Sequence, residues 1–143
     1  MAGDDDLWDL WAGARLECRV DGVVCRLAGP TVDPLPAAGP IFLVTAFNPG
    51  GVERDDATNQ HDEQVLEAEL LGLGVEFWPS VGHSADDTWR EPGVAIAGMA
   101  RADACELGRR YGQMGVYELT NDELLVVRCA DTHVLRNRTR RVG

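Results

Sequence analysis

Apolar and polar residues alternate most clearly in LECRVDGVVCRL, residues 16–27. Asp21–Gly22, near the centre of this stretch, is typical of a two-residue hairpin turn, because both residues tolerate the positive φ that the turn requires. Antiparallel strands joined in this way place every second side chain on the same face. The predicted buried face holds three cross-strand pairs, which are Leu16 with Leu27, Cys18 with Cys25, and Val20 with Val23. Glu17 and Arg26 are then expected opposite each other on the solvent face.

The run IFLVTAF, residues 41–47, is apolar without alternation. This pattern is typical of a central strand that is covered on both faces. A polar segment with helical periodicity follows from about Thr58 to Leu73, and Gly72 or Gly74 is expected to end it. A second long helix is predicted in ARADACELGRRYG, residues 100–112.

Further strands are predicted in the rest of the chain. They lie in VEFWPSVGH, residues 75–83, in VAIAGM, residues 94–99, and in the two halves of a second hairpin over residues 115–129. The chain is expected to begin with a short amphipathic helix over residues 6–14, capped by Asp6.

The order of these elements predicts an α+β fold. Helices and pairs of strands follow one another in a way that favours a mostly antiparallel sheet of about six to seven strands. Two main helices pack on this sheet, in addition to the short N-terminal helix. We expect a single domain over residues 1–143, with its core in residues 15–131 and a basic, flexible tail in residues 132–143.

The charge of the chain is strongly negative. All 13 basic residues are arginine, against 24 acidic residues, so the net charge is −11. Four arginines fall in the last eight residues, RNRTRRVG, which leaves −15 on the rest (−11 − 4). Such an acidic body repels phosphate backbones, and we therefore expect no nucleic-acid partner. The basic tail is either a solvated terminus or a segment that reaches an acidic surface, its own or a partner's.

The composition also bears on location and on metal binding. No stretch approaches the ~20 apolar residues of a membrane span, and the acidic start lacks the features of a signal peptide, so a cytoplasmic protein without membrane contact is expected. The four cysteines match no zinc pattern, and the three histidines are scattered. We expect no metal and no cofactor. Cys18 and Cys25 are predicted to be core neighbours, with a disulfide between them as the alternative.

The stretch TAFNPGG, residues 45–51, is the first candidate for a ligand site. Thr45 places a hydroxyl inside an apolar strand, where an unpaired polar group costs free energy. Pro49 is expected to hold Asn48 in extended backbone, which presents its carboxamide rigidly at the strand end. Two glycines then offer bare backbone N–H groups, which suit an oxygen-rich ligand. The alternative is an ordinary turn.

Three other segments contribute candidate residues. Asn59 lies near the start of the first long helix, where it either caps backbone or lines a pocket at the positive helix end. It shares a helical face with residues that pack on the sheet, namely Leu66, Leu70, Leu73 and either Asp62 or Glu63. Glu91 precedes Pro92–Gly93 at the start of a buried strand. It is either a general acid or base or an exposed acid in a loop. Gln113 follows the end of the second long helix.

We expect these polar residues to converge where the ends of strands and helices coincide. Asn48 and Gln113 would bind a ligand, Thr45 would border it, and Asn59 would orient its neighbours. Glu91 would be the catalytic residue that accepts or transfers a proton. The alternative is a structural polar cluster that satisfies buried backbone groups.

The order of these motifs resembles one small bacterial family, known as domain of unknown function 3293. The matching motifs are Thr-Ala-Phe-Asn-Pro at residues 45–49, the asparagine at Asn59, Glu91–Pro92, and Tyr-Gly-Gln at residues 111–113. The resemblance covers roughly residues 41–127. It supports the choice of residues and implies no particular reaction.

Two classes of function are compatible with the sequence. The first is an intracellular domain with a polar pocket for a small, oxygen-rich ligand, which leaves open whether the protein is an enzyme. The second is an acidic module that binds a basic protein partner as a regulator or inhibitor. A flat acidic face with exposed tryptophan would favour the second class. The candidates for such exposure are Trp8, Trp11, Trp78 and Trp89.

Overall fold

A computed structural model of the chain describes residues 4–143. The helices are α1 (Asp4–Ala12), α2 (Asp56–Leu73) and α3 (Arg101–Arg110), with a short 3-10 turn at Pro49–Gly51. The strands are β1 (Arg15–Val20), β2 (Val23–Ala28), β3 (Ile41–Val44), β4 (Phe77–His83), β5 (Arg90–Ala97), β6 (Gly115–Leu119), β7 (Glu123–Arg128) and β8 (Val134–Thr139). The α+β class is confirmed, but the sheet has eight strands, where the sequence pattern predicts six to seven.

All neighbouring strands of the sheet are antiparallel, in the order β2-β1-β4-β5-β3-β6-β7-β8. The segments that follow its two edge strands meet, because Val32 forms a parallel bridge with Val142. Arg140 strengthens this contact, since its Nε donates to the carbonyl oxygen of Leu27 at 2.8 Å. The sheet is therefore curled into a half-barrel whose edges come together.

The β1–β2 hairpin follows the predicted register near its turn. Cys18 pairs with Cys25 and Val20 pairs with Val23, as predicted. A bulge beyond Glu17 shifts the register, so Leu16 pairs with Ala28 and not with Leu27. The predicted buried face is also wrong at the tip, because Val23 is 68% exposed. The hairpin projects beyond the body of the sheet there, and its apolar tip residue has no neighbour to pack on.

Strand β3 lies inside the sheet and is buried on both faces, as its apolar run predicts. Ile41 and Leu43 pack in a core with residues of α1 on one face. Phe42 and Val44 pack on the other face in a second core with residues of α2 and α3. The two long helices therefore cover one face of the sheet, and α1 covers the other.

Helix α2 begins two residues before the predicted start. The side chain of Asp55 caps it by accepting a hydrogen bond from the Thr58 backbone N–H at 2.8 Å, and Gly74 ends it with φ 69°. Glu63, rather than Asp62, lies on the buried face with Asn59. Leu73 was expected on that face but is 59% exposed, because the last turn of α2 extends past the core.

Helix α1 spans Asp4–Ala12, two residues earlier than the predicted range of 6–14. Asp6 therefore lies within the helix and is not its N-cap. Helix α1 and its connection to β1 close one face of the curled sheet, with Trp8 and Ala14 buried in the core. This position makes α1 one wall of the largest cavity described below.

The predicted flexible tail is largely a strand. Residues 134–139 form β8, which pairs with β7 from Glu123 to Val127. The arginines of this segment stabilise it by pairing with the protein itself. Arg136 forms an ion pair with Asp9 at 2.7 Å, and Arg138 donates to the carbonyl oxygen of Ala12 at 3.2 Å. Of the two explanations for the basic segment, contact with the protein's own surface is the correct one.

No helix among residues 4–143 is long and apolar enough to cross a membrane. All four cysteines are free thiols, including the directly paired Cys18 and Cys25. Burial and the neighbouring Cys25 raise the pKa of Cys18 to about 12, which keeps it a neutral core residue.

Candidate functional site

A cavity of about 370 Å³ lies between α1 and the concave face of the sheet. Three of the predicted site residues, Asn48, Glu91 and Gln113, line it. The other lining residues are Leu7, Leu10, Trp11, Ala14, Gly51, Ser84, Asp86, Thr88, Trp89, Met114 and Tyr117. The cavity is on the α1 face of the sheet, opposite the two long helices. Its volume is in the range of pockets that hold small molecules.

Glu91 belongs to strand β5, and not to a loop before it. Its backbone pairs with Gly82 of β4, so the strand begins at Arg90 and carries the carboxyl group onto the concave face. Burial raises the pKa of Glu91 to about 8, and the negative charge of Glu63 adds to this shift. A hydrogen bond with Thr45 opposes the shift only in part. Glu91 is therefore a carboxyl group that titrates near neutral pH.

The sequence pattern predicts Thr45 inside the strand, but Thr45 follows the end of β3. Its Oγ1 donates to the carbonyl oxygen of Pro92 at 2.7 Å and accepts from the Phe47 backbone N–H at 3.0 Å. Thr45 borders a smaller cavity of about 40 Å³, which Glu91 also lines. The hydroxyl thus fixes the end of β3 against β5 next to Glu91.

Glu63 is a buried acid on the α2 side of the same strand end. Its Oε2 accepts a hydrogen bond from the Ala46 backbone N–H at 2.9 Å. Its Oε1 is buried and has no hydrogen-bond partner within the described part of the chain. Burial raises its pKa to about 7, although the bond from Ala46 opposes this. Glu63 and Glu91 therefore form an electrostatically coupled pair across the end of β3.

Asn48 does not have the extended backbone that the following proline predicts. It has φ 47° and ψ 61°, in the left-handed region, which asparagine tolerates better than most residues. The Asn48 Oδ1 accepts from the Arg54 backbone N–H at 3.2 Å and from Asn59 Nδ2 at 2.8 Å. These bonds compensate for the strained backbone and leave the Asn48 side chain at the cavity wall.

Asn59 supports the site without lining the cavity. Only 2% of it is exposed, and its Oδ1 accepts from the Asn48 backbone N–H at 2.9 Å and from Arg54 Nε at 2.6 Å. Arg54 also pairs with Asp62 at 2.8 Å. This network holds the Asn48 turn against the start of α2.

Replacing Asn59 with alanine is expected to lower the free energy of unfolding by about 2 kcal/mol, because it leaves the buried Asn48 N–H without its acceptor. Asn59→Asp keeps the acceptor oxygens for Asn48 and Arg54 and should cost less. Urea unfolding of both variants checks this order. Equal losses for the two variants would mean that the Asn59 acceptor is not what stabilises the turn.

Gln113 approaches the cavity from the turn between α3 and β6. Its Nε2 donates to the carbonyl oxygen of Phe47 at 2.9 Å and to that of Tyr111 at 3.3 Å. Gly112 makes this turn possible, because it has φ 72° and a Cβ there would lie 2.6 Å from the Cβ of Pro49. Gln113 therefore ties the α3 turn to the strand end that carries Asn48, and its Oε1 is not used in these bonds.

Sequence patterns did not identify the aromatic wall of the cavity. Trp11 and Tyr117 have ring centroids 5.2 Å apart, and the Tyr117 hydroxyl donates to the Trp11 carbonyl oxygen at 2.7 Å. Trp89 lies in the loop between β4 and β5 and is 41% exposed. These residues come from three distant segments, and apolar periodicity in each segment indicates only burial. The curl of the sheet is what brings them together.

A model of one protein family, described as a protein of unknown function (DUF3293), matches residues 44–116, just over half of the chain. The chain belongs to the DUF3293 family. The DUF3293 match contains all five predicted site residues and also Glu63. Helix α1 and Tyr117 lie outside it, so the matched segment supplies the polar side of the cavity and the rest supplies much of the apolar side. None of the curated proteins and none of the solved structures gives a significant match to this DUF3293 member.

Proposed function

We propose that this chain binds a small, oxygen-bearing molecule in the cavity under α1, and that Glu91 exchanges a proton with it. One observation carries the proposal. Asn48, Glu91 and Gln113 come from three separate segments and line one cavity of about 370 Å³, where Glu91 is a carboxyl group with a pKa near neutral. Perturbed carboxyl groups inside a cavity with other polar groups are typical of functional sites.

The existing hydrogen bonds leave each polar residue with a different role. The Oδ1 of Asn48 already accepts two bonds, so its amide N–H is the group that remains to donate to a ligand oxygen. The Nε2 of Gln113 already donates two bonds, so its Oε1 remains to accept from a ligand hydroxyl. In this proposal Asn48 donates a hydrogen bond to the ligand and Gln113 accepts one from it. The two bonds together orient the ligand.

Glu91 has the properties of a general acid or base. A carboxyl group with a pKa of about 8 is populated in both protonation states near neutral pH, which is the condition for efficient proton transfer. Glu63 raises its pKa and therefore acts on the ligand through Glu91. The reaction class that this arrangement supports is proton transfer to or from the bound ligand.

The alternative function, an acidic module for a basic protein partner, has less support. Trp8 is 7% exposed, and Trp11 and Trp89 contribute to the wall of the cavity. Trp78 is partly buried against the core, so the tryptophans support a concave aromatic site more than the flat face that would favour protein binding. The net charge of −11 fits either function.

A thermal-shift screen against a metabolite library tests the proposal. A ligand at 100 times its dissociation constant adds about 2.7 kcal/mol to the stability of a protein that binds it. The wild type and the exposed control Glu53→Gln should respond equally to such a ligand. Glu91→Gln and Asn48→Ala should lose the response. Folding of each variant is verified by circular dichroism, and a full response from folded Glu91→Gln would contradict the proposed role of Glu91.

A further inference from the structure

The cavity wall carries negative charge and lacks positive charge. Asp86 lines it as an ionised carboxylate, and Glu91, with a pKa of about 8, is mostly protonated at pH 7. None of its lining residues within positions 4–143 is arginine or histidine. The chain contains no lysine at all. Arg15 is paired with Asp87 and Arg54 with Asp62, and Arg90, which precedes Glu91 in β5, does not line the cavity. An anionic ligand would therefore enter the site without a counter-charge, which is unfavourable in a partly desolvated cavity.

Asp86 lies at the exposed edge of the cavity, where hydrogen bonds within its own loop hold its carboxyl group. Its Oδ1 accepts three hydrogen bonds, from Ser84 Oγ at 2.8 Å, from Thr88 Oγ1 at 2.7 Å and from the Thr88 backbone N–H at 3.1 Å. The first two of these bonds are the main reason that the pKa of Asp86 is lowered to about 2, so the group is ionised. All three bonds use one oxygen, and Oδ2 remains for a donor on a ligand.

Aromatic rings form the other part of the wall. Trp11 and Tyr117 lie with their rings tilted by 30°, and Trp89 lies in the same loop as Asp86. The face of an aromatic ring attracts a cation that lies within about 6 Å, most strongly for tryptophan. Asp86 and the rings of Trp11 and Trp89, which line one cavity, are thus complementary to the same kind of ligand.

Resting on the proposed function, we infer that the ligand is a small organic cation, an amine attached to an apolar or aromatic body with at least one oxygen. The amine lies between Asp86 and the tryptophan rings. The body lies against Leu7, Leu10 and Met114, and the oxygen is bound by Asn48 or Gln113. The overall charge of −11 raises the local concentration of such a cation and disfavours phosphates and carboxylates.

Three probes with one body and different charge test the inference by isothermal titration calorimetry. They are tyramine, which is cationic, tyrosol, which is neutral, and 4-hydroxyphenylacetate, which is anionic. Tyramine is expected to bind at least about tenfold more tightly than tyrosol, and the anion is expected to bind most weakly. Asp86→Asn keeps the Oδ1 acceptor for Ser84 and Thr88 but removes the charge, and it should abolish the preference for tyramine. Asp56→Asn, an exposed acid on α2, is the matched control and should keep the preference.

The outcomes separate this inference from the proposed function. Equal or tighter binding of tyrosol or of the anion would overturn the cationic ligand while the cavity itself remained a binding site. No binding of tyramine up to about 1 mM would also overturn it. The role of the cavity is decided independently by the library screen, in which a neutral hit that is lost in Asn48→Ala would support the proposed function alone.

Discussion

Replacing Arg140 with alanine is expected to lower the free energy of unfolding by about 3–5 kcal/mol, among the largest effects of any single substitution in this chain. Arg140 is only 5% exposed. Its guanidinium donates to four backbone carbonyl oxygens, which are those of Leu27 at 2.8 Å, Asp33 at 2.7 Å, Thr120 at 2.9 Å and Asn121 at 3.1 Å. Alanine leaves these carbonyl groups without their donor at the point where the edges of the half-barrel meet.

The neighbouring Arg141 is the matched control. It is exposed, so Arg141→Ala should change stability by no more than about 0.5 kcal/mol. Arg140→Lys keeps the charge but has fewer donors in a different geometry, and it should lie between wild type and alanine. Urea unfolding followed by tryptophan fluorescence measures all three. If Arg140→Ala lost no more stability than Arg141→Ala, the closure of the sheet would not depend on this guanidinium.

Stability is expected to fall by roughly 6 kcal/mol as the pH rises from 5 to 9. The pKa of Glu91 is about 8 and that of Glu63 about 7 in the folded protein, both above the ordinary value of 4.5. The folded state therefore binds more protons than the unfolded state between pH 4.5 and 8. The stabilisation is fully present below pH 4.5 and is lost as the pH rises through the folded pKa values.

The charged and titratable neighbours of this pair are few. Glu67 on α2 raises the pKa of Glu63, and the pKa of Tyr117 on β6 is itself raised far above neutral, chiefly by burial. Acids with a lowered pKa, such as Asp33 with a pKa of about 2, lower the stability as the pH falls, and they do so only at pH values below this range. The loss between pH 5 and 8 therefore belongs to Glu63 and Glu91. Nearer pH 9 the four cysteines add to it, because burial raises their pKa values above 9.0.

Glutamine substitutions isolate the contribution of the pair. The double variant Glu63→Gln, Glu91→Gln should have nearly the same stability at pH 6 and at pH 8, whereas the exposed control Glu53→Gln should show the wild-type slope. Urea unfolding across this pH range gives the comparison. A wild-type slope that persisted in the double variant would show that other groups cause the pH dependence. The pair destabilises the fold at alkaline pH, which is expected of a functional site rather than of a structural cluster.

Local patterns predict the centre of this fold well. The turn at Asp21–Gly22 and the apolar run of β3 each specify one conformation, because a tight turn and a strand buried on both faces leave few alternatives. The last strand was missed for a physical reason. The segment RNRTRR is polar throughout, and three of its four arginines, Arg136, Arg138 and Arg140, bond to carbonyl and carboxylate groups far away in the sequence. Such long-range partners leave no local signal.

The sequence predicts which residues form the candidate site better than it predicts how they are arranged. Helical periodicity left Asp62 and Glu63 as alternatives, because both lie near the buried face, and only the packing of α2 selects Glu63. The left-handed backbone of Asn48 depends on its bonds with Asn59 and Arg54, which outweigh the local preference before proline. The cavity itself forms on the α1 face, because the curl of the sheet depends on pairings that no single segment encodes.

The carboxyl carbon of Glu91 provides the most direct measurement of the central claim. Its chemical shift can be followed by NMR as a function of pH in protein labelled with ¹³C-glutamate, with Glu91→Gln used to assign the signal. We expect a titration near pH 8 in the free protein, and a change of at least about one pKa unit when a ligand from the screen is bound. A titration near 4.5 that the bound ligand leaves unchanged would contradict the claim that Glu91 exchanges a proton with a molecule in this cavity.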